Sequence, residues 1–199
     1  MVKIAVFASG SGSNFQSIVD SVKSGQLDAS VELLVCDKSN AYVIERAEQN
    51  GIEAFVFNPK EYQSKTEYEK KIALELQKRD IEYLVLAGYM RLIGPTLLRE
   101  FDNRIINIHP SLLPMFPGKD AIGQAIAAGV SLTGVTIHYV DEGMDTGPII
   151  AQESLTITEH DTAETLAERI HEIEHRLYPI TLQTIFNRGG VRHHEKSAH

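Results

Sequence analysis

The sequence contains little cysteine and no long hydrophobic segment. Cys36 is the single cysteine among 199 residues. No disulfide can therefore form within the chain, which favours a reducing compartment and predicts a cytoplasmic location. No run of about 18 apolar residues occurs, so we predict no membrane span. The apolar run at the start of the chain ends at Ser9-Gly10, and we interpret it as a buried strand instead of a signal peptide.

Positive charge is also scarce. Lys and Arg number 19 against 27 Asp and Glu, which gives a net charge of −8. Such a chain lacks the broad basic surface that nucleic-acid binding needs, and we predict no nucleic-acid partner. An anionic ligand would have to be bound locally, by backbone N–H groups or a helix N-terminus. The length and composition otherwise match a single globular domain.

Short apolar runs alternate with helical patterns through the first half of the chain. Strands are predicted at Lys3 to Ala8, Val31 to Cys36, Ala54 to Phe57, Ile81 to Ala87 and Arg104 to Ile108. Helices are predicted at Asn14 to Ser24, Tyr42 to Asn50 and Lys60 to Arg79, with a short one near Pro95. This order and the continuous apolar strands predict an α/β fold with a doubly wound, mostly parallel, Rossmann-like sheet.

The second half has a different pattern. Three prolines predict an irregular loop over Pro110 to Gly118, before a helix over Lys119 to Ala128. Strands at Thr133 to Val140 and Pro148 to Leu155 predict a C-terminal antiparallel extension. A final helix begins at Asp161, with Leu166, Ile170, Ile173 and Leu177 on its core face. We expect one domain over 1–186 and a flexible tail over 187–199.

A glycine-rich loop, Ser9-Gly10-Ser11-Gly12-Ser13-Asn14, lies between the first strand and the first helix. Glycines allow a close backbone approach to a ligand, and the following helix offers free N–H groups. Phe15 stands where a dinucleotide fingerprint has its third glycine, so the loop suits one phosphate. The loop is equally compatible with a plain strand-to-helix turn.

Polar side chains follow the strand that ends at Ile108. Asn107 and His109 share one side of it at its carboxyl end, where open α/β sheets place ligands. The acidic loop Asp141 to Pro148 could bring Asp145 beside His109. An amide and a protonated imidazole would stabilise an oxyanion, and a carboxylate would orient the imidazole. A buried, hydrogen-bonded histidine beside a solvated acidic loop is the alternative interpretation.

Two further features allow competing interpretations. His171-Glu172-Ile173-Glu174-His175 fits the zinc-protease pattern H-E-x-x-H, with His193, His194, Glu195 or His199 as a possible third ligand. The α/β context argues against that reading, and we predict no metal. Asp37 is interpreted as a turn residue at a strand end, and His138 as a structural residue that could also face a site.

Four segments occur in the order of a known family: Gly10 to Asn14, Leu86 to Leu92, Asn107-Ile108-His109-Pro110-Ser111-Leu112-Leu113-Pro114, and Asp141 to Pro148. With them, the chain resembles the phosphoribosylglycinamide formyltransferase family over nearly its whole length. The resemblance implies transfer of a formyl group from 10-formyltetrahydrofolate, as co-substrate, to the amine of glycinamide ribonucleotide in purine biosynthesis. The substrate amine would attack the formyl carbon directly.

The resemblance also implies site residues. It implies a catalytic trio of Asn107, His109 and Asp145, and a phosphate loop of Gly12, Ser13 and Asn14. His171 and Glu174 fall near ribonucleotide-contacting positions. Folate-binding positions match Lys65, Met90, Arg91, Leu92, Ile93 and Asn107. Residues 1–100 would then form a nucleotide-phosphate half, and 101–186 a catalytic and folate-binding half. Lys65 stands where arginine is common, and Arg91 could instead form a solvent-facing salt bridge.

Other functions remain open from the sequence. Within the same superfamily, the chain could hydrolyse formyltetrahydrofolate or formylate another amine. A non-catalytic module that binds a nucleotide phosphate is a third possibility. The expected partners are glycinamide ribonucleotide and folate, without nucleic acid or membrane, and the chain is expected to be a monomer or homodimer.

Overall fold

Seven strands form one sheet in the computed structural model, which describes residues 1–195. The strands are β1 (Val2–Ala8), β2 (Ala29–Cys36), β3 (Ala54–Val56), β4 (Tyr83–Leu86), β5 (Ile105–His109), β6 (Leu132–Tyr139) and β7 (Ile149–Thr156). Their order across the sheet is β3-β2-β1-β4-β5-β6-β7. Strands β1 to β5 pair in parallel, whereas β6 runs antiparallel to both β5 and β7. The predicted parallel sheet with an antiparallel extension is thus confirmed.

The sheet changes winding direction between β1 and β4. The chain moves outward from β1 to β3, returns to place β4 beside β1, and continues toward β7. Ligands of open α/β sheets bind at the carboxyl ends of strands beside such a switch point. The Ser9 N–H bonds the Gly88 carbonyl across this point at 3.0 Å. The loops after β1 and β4 therefore meet at this edge.

Alternating strand residues build a core on each face of the sheet. Ile4, Val6 and Ala8 of β1 face helices near both chain ends, whereas Ala5 and Phe7 face the opposite layer. All five are completely buried. Buried aliphatic side chains occupy both faces of β4 as well, which explains why these strands have continuous apolar sequences.

Six helices cover the two faces within the described residues: α1 (Ser13–Lys23), α2 (Val43–Gln49), α3 (Lys65–Gln77), α4 (Pro95–Glu100), α5 (Ala121–Ala128) and α6 (Ala163–Glu195). The predicted helix from Lys60 to Arg79 was wrong at its start. A short 3-10 turn covers Pro59–Glu61, and α3 begins only after Ser64, whose hydroxyl accepts a bond from the Glu67 N–H at 3.2 Å. The break arises because Ser64 caps the helix and is itself extended.

The final helix is longer than its sequence pattern indicates. It extends to Glu195, past the boundary at residue 186, and residues 196–199 of the predicted tail lie outside the described part of the chain. Leu166, Ile170 and Ile173 are buried, as predicted for the core face. No helix in residues 1–195 has the length and apolar character needed to cross a membrane.

Candidate active site

A cavity of about 620 Å³ opens at the carboxyl edge of β1, β4 and β5. Its walls come from the glycine loop, the segment after β4, the end of β5, the loop after β6 and one side of α6. The predicted site residues that line it are Gly12, Ser13, Asn14, Met90, Arg91, Leu92, Ile93, Asn107, His109, Asp145, His171 and Glu174. Lys65 does not line it. The structure therefore brings together every predicted site residue except one.

The glycine loop leaves the start of α1 open toward the cavity. Gly12 occupies the helix cap position in the left-handed conformation, with φ of 77°, and no side chain caps the helix. The first backbone N–H groups of an α-helix have no partner within the helix. A Cβ atom at Gly12 would lie only 2.5 Å from Cγ2 of Val43, so this position needs glycine for space as well as for φ. The open N–H groups and the helix dipole favour an anion here.

Asn107 and His138 face each other on neighbouring strands. They are register partners of β5 and β6, and Asn107 Nδ2 lies 3.2 Å from His138 Nε2. His138 Nδ1 lies 2.8 Å from the Tyr139 carbonyl, which can only accept, so Nδ1 carries the proton. Neutral Nε2 then accepts from the Asn107 amide. Burial lowers the pKa of His138, which favours this neutral form.

His109 lies between two acceptors. Its Nε2 donates to the Phe116 carbonyl at 2.8 Å, and its Nδ1 lies 3.5 Å from Asp145 Oδ2. Only the protonated ring has a hydrogen for both. Asp145 has a left-handed backbone, with φ of 56°, and its Oδ2 accepts the Gly118 N–H at 2.8 Å. That bond fixes the carboxylate beside the imidazole.

Glu174 and Asn14 connect α6 to the glycine loop. The Asn14 amide donates to Glu174 Oε2 at 3.1 Å, while Asn14 Oδ1 is buried without a partner. Burial raises the pKa of Glu174 to about 7, against the opposing effect of the Asn14 hydrogen bond. A carboxyl at the cavity wall can thus be neutral or charged near neutral pH, and it offers oxygens to hydroxyl donors. His171 lies on the same wall.

The zinc-protease motif does not form a metal centre in the described residues. His171 and His175 stack with ring centroids 6.1 Å apart, and Glu172, the glutamate of the motif, is exposed. Among residues whose side chains are described, no group of three His, Cys, Asp or Glu is placed to hold a metal ion. The candidate third ligands His193, His194, Glu195 and His199 have side chains outside the described part.

The segment Met90–Ile93 is held by hydrogen bonds on the side that faces away from the cavity. Arg91 Nε donates to Asp37 Oδ2 at 2.8 Å, so its salt bridge is made with a buried carboxylate rather than toward solvent. Asp37 is therefore more than the turn residue that its position suggested. Lys65 Nζ donates to the Leu92 carbonyl at 2.8 Å, which places it behind this segment and outside the cavity.

Two groups of the site were missed by sequence reasoning. The Phe116 carbonyl has no sequence signature, because its position depends on a left-handed residue inside a proline-rich loop. His138 alternates with the core face of its strand, so the pattern left a site-facing position open. The pattern did not identify Asn107 as its partner. The register of β5 against β6 decides the contact.

Comparison with known proteins gives a consistent assignment. The Formyl transferase family model matches residues 2–182. A phosphoribosylglycinamide formyltransferase of Bacillus subtilis is 57% identical over 95% of this chain and 98% of its own length. The crystal structure of phosphoribosylglycinamide formyltransferase from Bacillus halodurans superposes with a TM-score of 0.91, at 55% identity over 94% of this chain and 96% of that one. Glycinamide ribonucleotide transformylase 1 from Geobacillus kaustophilus also gives 0.91, at 61% identity over 93% and 98% of the two chains. The chain therefore belongs to the formyl transferase family and, within it, to the phosphoribosylglycinamide formyltransferases.

Proposed function

We propose that this chain transfers the formyl group of 10-formyltetrahydrofolate to the amine of glycinamide ribonucleotide through the cavity at the carboxyl edge. One observation carries the proposal. A single cavity is lined by an uncapped helix N-terminus, an Asn–His–Asp cluster and the apolar Met90–Ile93 segment. An anionic ribonucleotide, a reacting carbonyl and a flat heterocycle would each find a matching surface there.

The ribonucleotide occupies the side of the cavity between α1 and α6. Its phosphate binds the N–H groups of Gly12, Ser13 and Asn14, where the helix dipole favours negative charge. Its ribose hydroxyls lie near His171 and Glu174, whose carboxyl oxygens accept hydrogen bonds. The folate lies against Met90 to Ile93. Lys65 acts through the backbone of that segment, and metal ions have no part in the reaction.

The chemistry is a direct displacement at the formyl carbon. The amine nitrogen forms a bond to this carbon, and the carbonyl oxygen becomes an oxyanion. The bond between the carbon and the folate nitrogen then breaks, and that nitrogen takes a proton as the attacking amine loses one. Asn107 donates to the oxyanion through its second amide hydrogen. Protonated His109 donates to the oxyanion once one of its N–H groups exchanges its protein acceptor for it, and His109 then supplies the proton. Asp145 orients His109, and both substrates in one cavity provide proximity.

A folate-product assay with and without glycinamide ribonucleotide tests this function. We expect tetrahydrofolate to form only when the ribonucleotide is present, in equal amount to the formylated product. Equal release without the acceptor would identify a hydrolase. Ligand binding without turnover in either condition would leave a non-catalytic binding module.

Substitution of the catalytic pair tests the mechanism. His109→Ala and Asp145→Ala should each lower kcat by about 10²- to 10⁴-fold, because each removes acid–base or oxyanion stabilisation. Circular dichroism and thermal unfolding would verify that both variants fold. The exposed His160 provides a matched control, and His160→Ala should retain the parent rate. Parent-like turnover in either test variant would remove that residue from the mechanism.

A further inference from the structure

The side chains of Ser9, Asp37 and Arg91 form a hydrogen-bonded chain beneath the folate segment, and Ser9 and Asp37 are buried. Ser9 Oγ donates to Asp37 Oδ1 at 2.5 Å and accepts from the Met90 N–H at 2.9 Å. The second oxygen of Asp37 accepts from Arg91 Nε at 2.8 Å. These residues come from the carboxyl ends of β1 and β2 and from the loop after β4. The carboxylate therefore reaches two consecutive residues of the segment, one directly and one through Ser9.

Burying a carboxylate such as that of Asp37 costs free energy. The Asp37 side chain is 2% exposed, and Ser9 is buried beside it. A buried carboxylate is tolerated only when its oxygens are bonded, and here each oxygen has a donor. A turn at the end of β2 needs no such group, since an exposed polar residue would serve.

The arginine is directed inward by the same contacts. Arg91 also lies near the Tyr68 hydroxyl, where its charge opposes the rise in the pKa of Tyr68 that burial causes. The guanidinium is thus engaged on the inner side of the segment. Met90 and Leu92 are instead 60% and 45% exposed. The face of the segment toward the cavity consists of these apolar side chains, the backbone and the part of Arg91 that stays exposed.

The far end of the segment is fixed separately. The carboxylate of Glu69, on α3, accepts from the Gly94 N–H at 2.6 Å and from the Leu97 N–H at 3.4 Å, which satisfies the start of α4. Lys65, one turn earlier on α3, donates to the Leu92 carbonyl. Hydrogen bonds at Met90, Leu92 and Gly94 therefore fix the backbone of the segment at both of its ends.

We propose that Asp37 is a positioning residue for folate binding, which acts through Ser9 and Arg91 to hold the Met90–Ile93 segment in its binding conformation. This inference rests on the proposed function, because it takes that segment as the folate surface. Asp37 touches no substrate. Its effect is to remove the cost of ordering the segment when folate binds.

Asp37→Asn is the sharpest perturbation, because the amide has the same shape but one oxygen fewer. If its oxygen accepts from Ser9, its NH₂ faces the donor on Arg91, and two donors cannot pair. If the amide is reversed, its NH₂ donates to Ser9 Oγ, which can accept this bond beside that of the Met90 N–H, but the buried Ser9 hydroxyl hydrogen then loses its acceptor. Either orientation therefore breaks a bond that Asp37 makes with Arg91 or Ser9.

Steady-state kinetics on the full chain tests the proposal. We expect Asp37→Asn to raise the KM for 10-formyltetrahydrofolate about tenfold, while the KM for glycinamide ribonucleotide and kcat stay within about twofold. Arg91→Gln should raise the same KM. Because both substitutions disturb the same Ser9–Asp37–Arg91 network, the double variant should be less impaired than the product of the two single effects.

Controls separate positioning from general instability. Phe186→Leu loosens a ring contact with Tyr83, whose centroid lies 5.0 Å from that of Phe186. Tyr83 is the first residue of β4, at the end of the strand away from the cavity. This variant should lower Tm without changing either KM. An Asp37→Asn enzyme with lowered Tm but parent folate KM would overturn the proposal and leave Asp37 as a stability residue. Failure of the parent protein to use the folate at all would instead contradict the proposed function.

Discussion

Gly12→Ala is the substitution for which the structure gives the most detailed expectation. The position has φ of 77°, and a new Cβ would meet Val43 Cγ2 at 2.5 Å and Val43 Cβ at 2.7 Å. The left-handed backbone costs a non-glycine residue about 1–2 kcal/mol. Forcing a methyl group against the buried Val43 adds about 1–3 kcal/mol. We therefore expect the free energy of unfolding to fall by about 2–5 kcal/mol.

Two other glycines provide the controls for this estimate. Gly25 has nearly the same φ, 78°, but a Cβ there meets nothing within 4 Å, so Gly25→Ala isolates the backbone cost. Gly10 lies in the same loop, and a Cβ there also meets nothing within 4 Å. Gly10→Ala should change stability little. Urea unfolding of the three variants gives the comparison, and the difference between Gly12→Ala and Gly25→Ala measures the clash with Val43.

The same variant tests the proposed phosphate-binding role of the loop. A shift of Gly12 moves the N–H groups at the start of α1, so the KM for the ribonucleotide should rise at least about tenfold, with the folate KM little affected. Removing the obstacle with Val43→Ala should restore part of the loss. Two results would refute the reasoning. One is a stability loss no greater than that of Gly25→Ala, and the other is a parent-like ribonucleotide KM in a destabilised protein.

Three further predictions concern α6, His138 and metals. The pKa of Glu174 is raised to about 7, so the folded protein holds this proton more tightly than the unfolded chain. Parent stability relative to Glu174→Gln should therefore fall by on the order of 3 kcal/mol as pH rises from about 4.5 to about 8, measured by urea unfolding, and parallel curves would contradict this sign. His138→Ala should lower kcat about tenfold without raising the ribonucleotide KM, because the Asn107 amide loses its acceptor, and an unchanged kcat would exclude this orienting contact. Dialysis against a chelator should leave kcat unchanged, whereas a loss reversed by zinc would favour the H-E-x-x-H interpretation.

The strands were the most predictable part of the fold. Buried parallel strands are apolar on both faces, so the runs that became β1, β2, β4 and β5 were visible without any alternation. The helices were less predictable where capping decides their ends. Ser64 and Glu67 form a capping pair, since the Glu67 side chain also accepts the Gln63 N–H at 2.7 Å. The apolar periodicity of α3 starts only at Tyr68, so it could not locate that boundary.

The last helix begins at Ala163 and not at Asp161, for a similar reason. Asp161 was expected to cap it, but Thr162 and Thr165 exchange hydrogen bonds at the first turn, at 2.9 and 3.2 Å. Asp161 instead accepts from the Thr158 N–H at 2.8 Å. Thr158, Asp161 and Thr162 each have a side-chain oxygen that could accept a helix N–H, and the local sequence does not show which of them does so.

The candidate site was predictable where a residue type follows a strand end. Asn107 and His109 could be placed at the carboxyl edge from alternation alone. The partners of these residues could not, because they depend on long-range geometry. The contact with His138 requires an antiparallel register, and that with the Phe116 carbonyl requires a left-handed turn. Asp37 lies 54 positions from Arg91, and no local pattern connects them.

The bond between Asn14 and Glu174 joins residues 160 positions apart, and Ser17 bonds the His175 carbonyl nearby across 158 positions. One side of the cavity thus comes from the beginning of the chain and the opposite side from its last helix. We expect contacts of such high sequence separation to form late in folding, because closing a long loop costs entropy. Ribonucleotide affinity should consequently appear only after α6 has packed against α1, which makes this ligand a reporter of the completed fold rather than of the sheet alone.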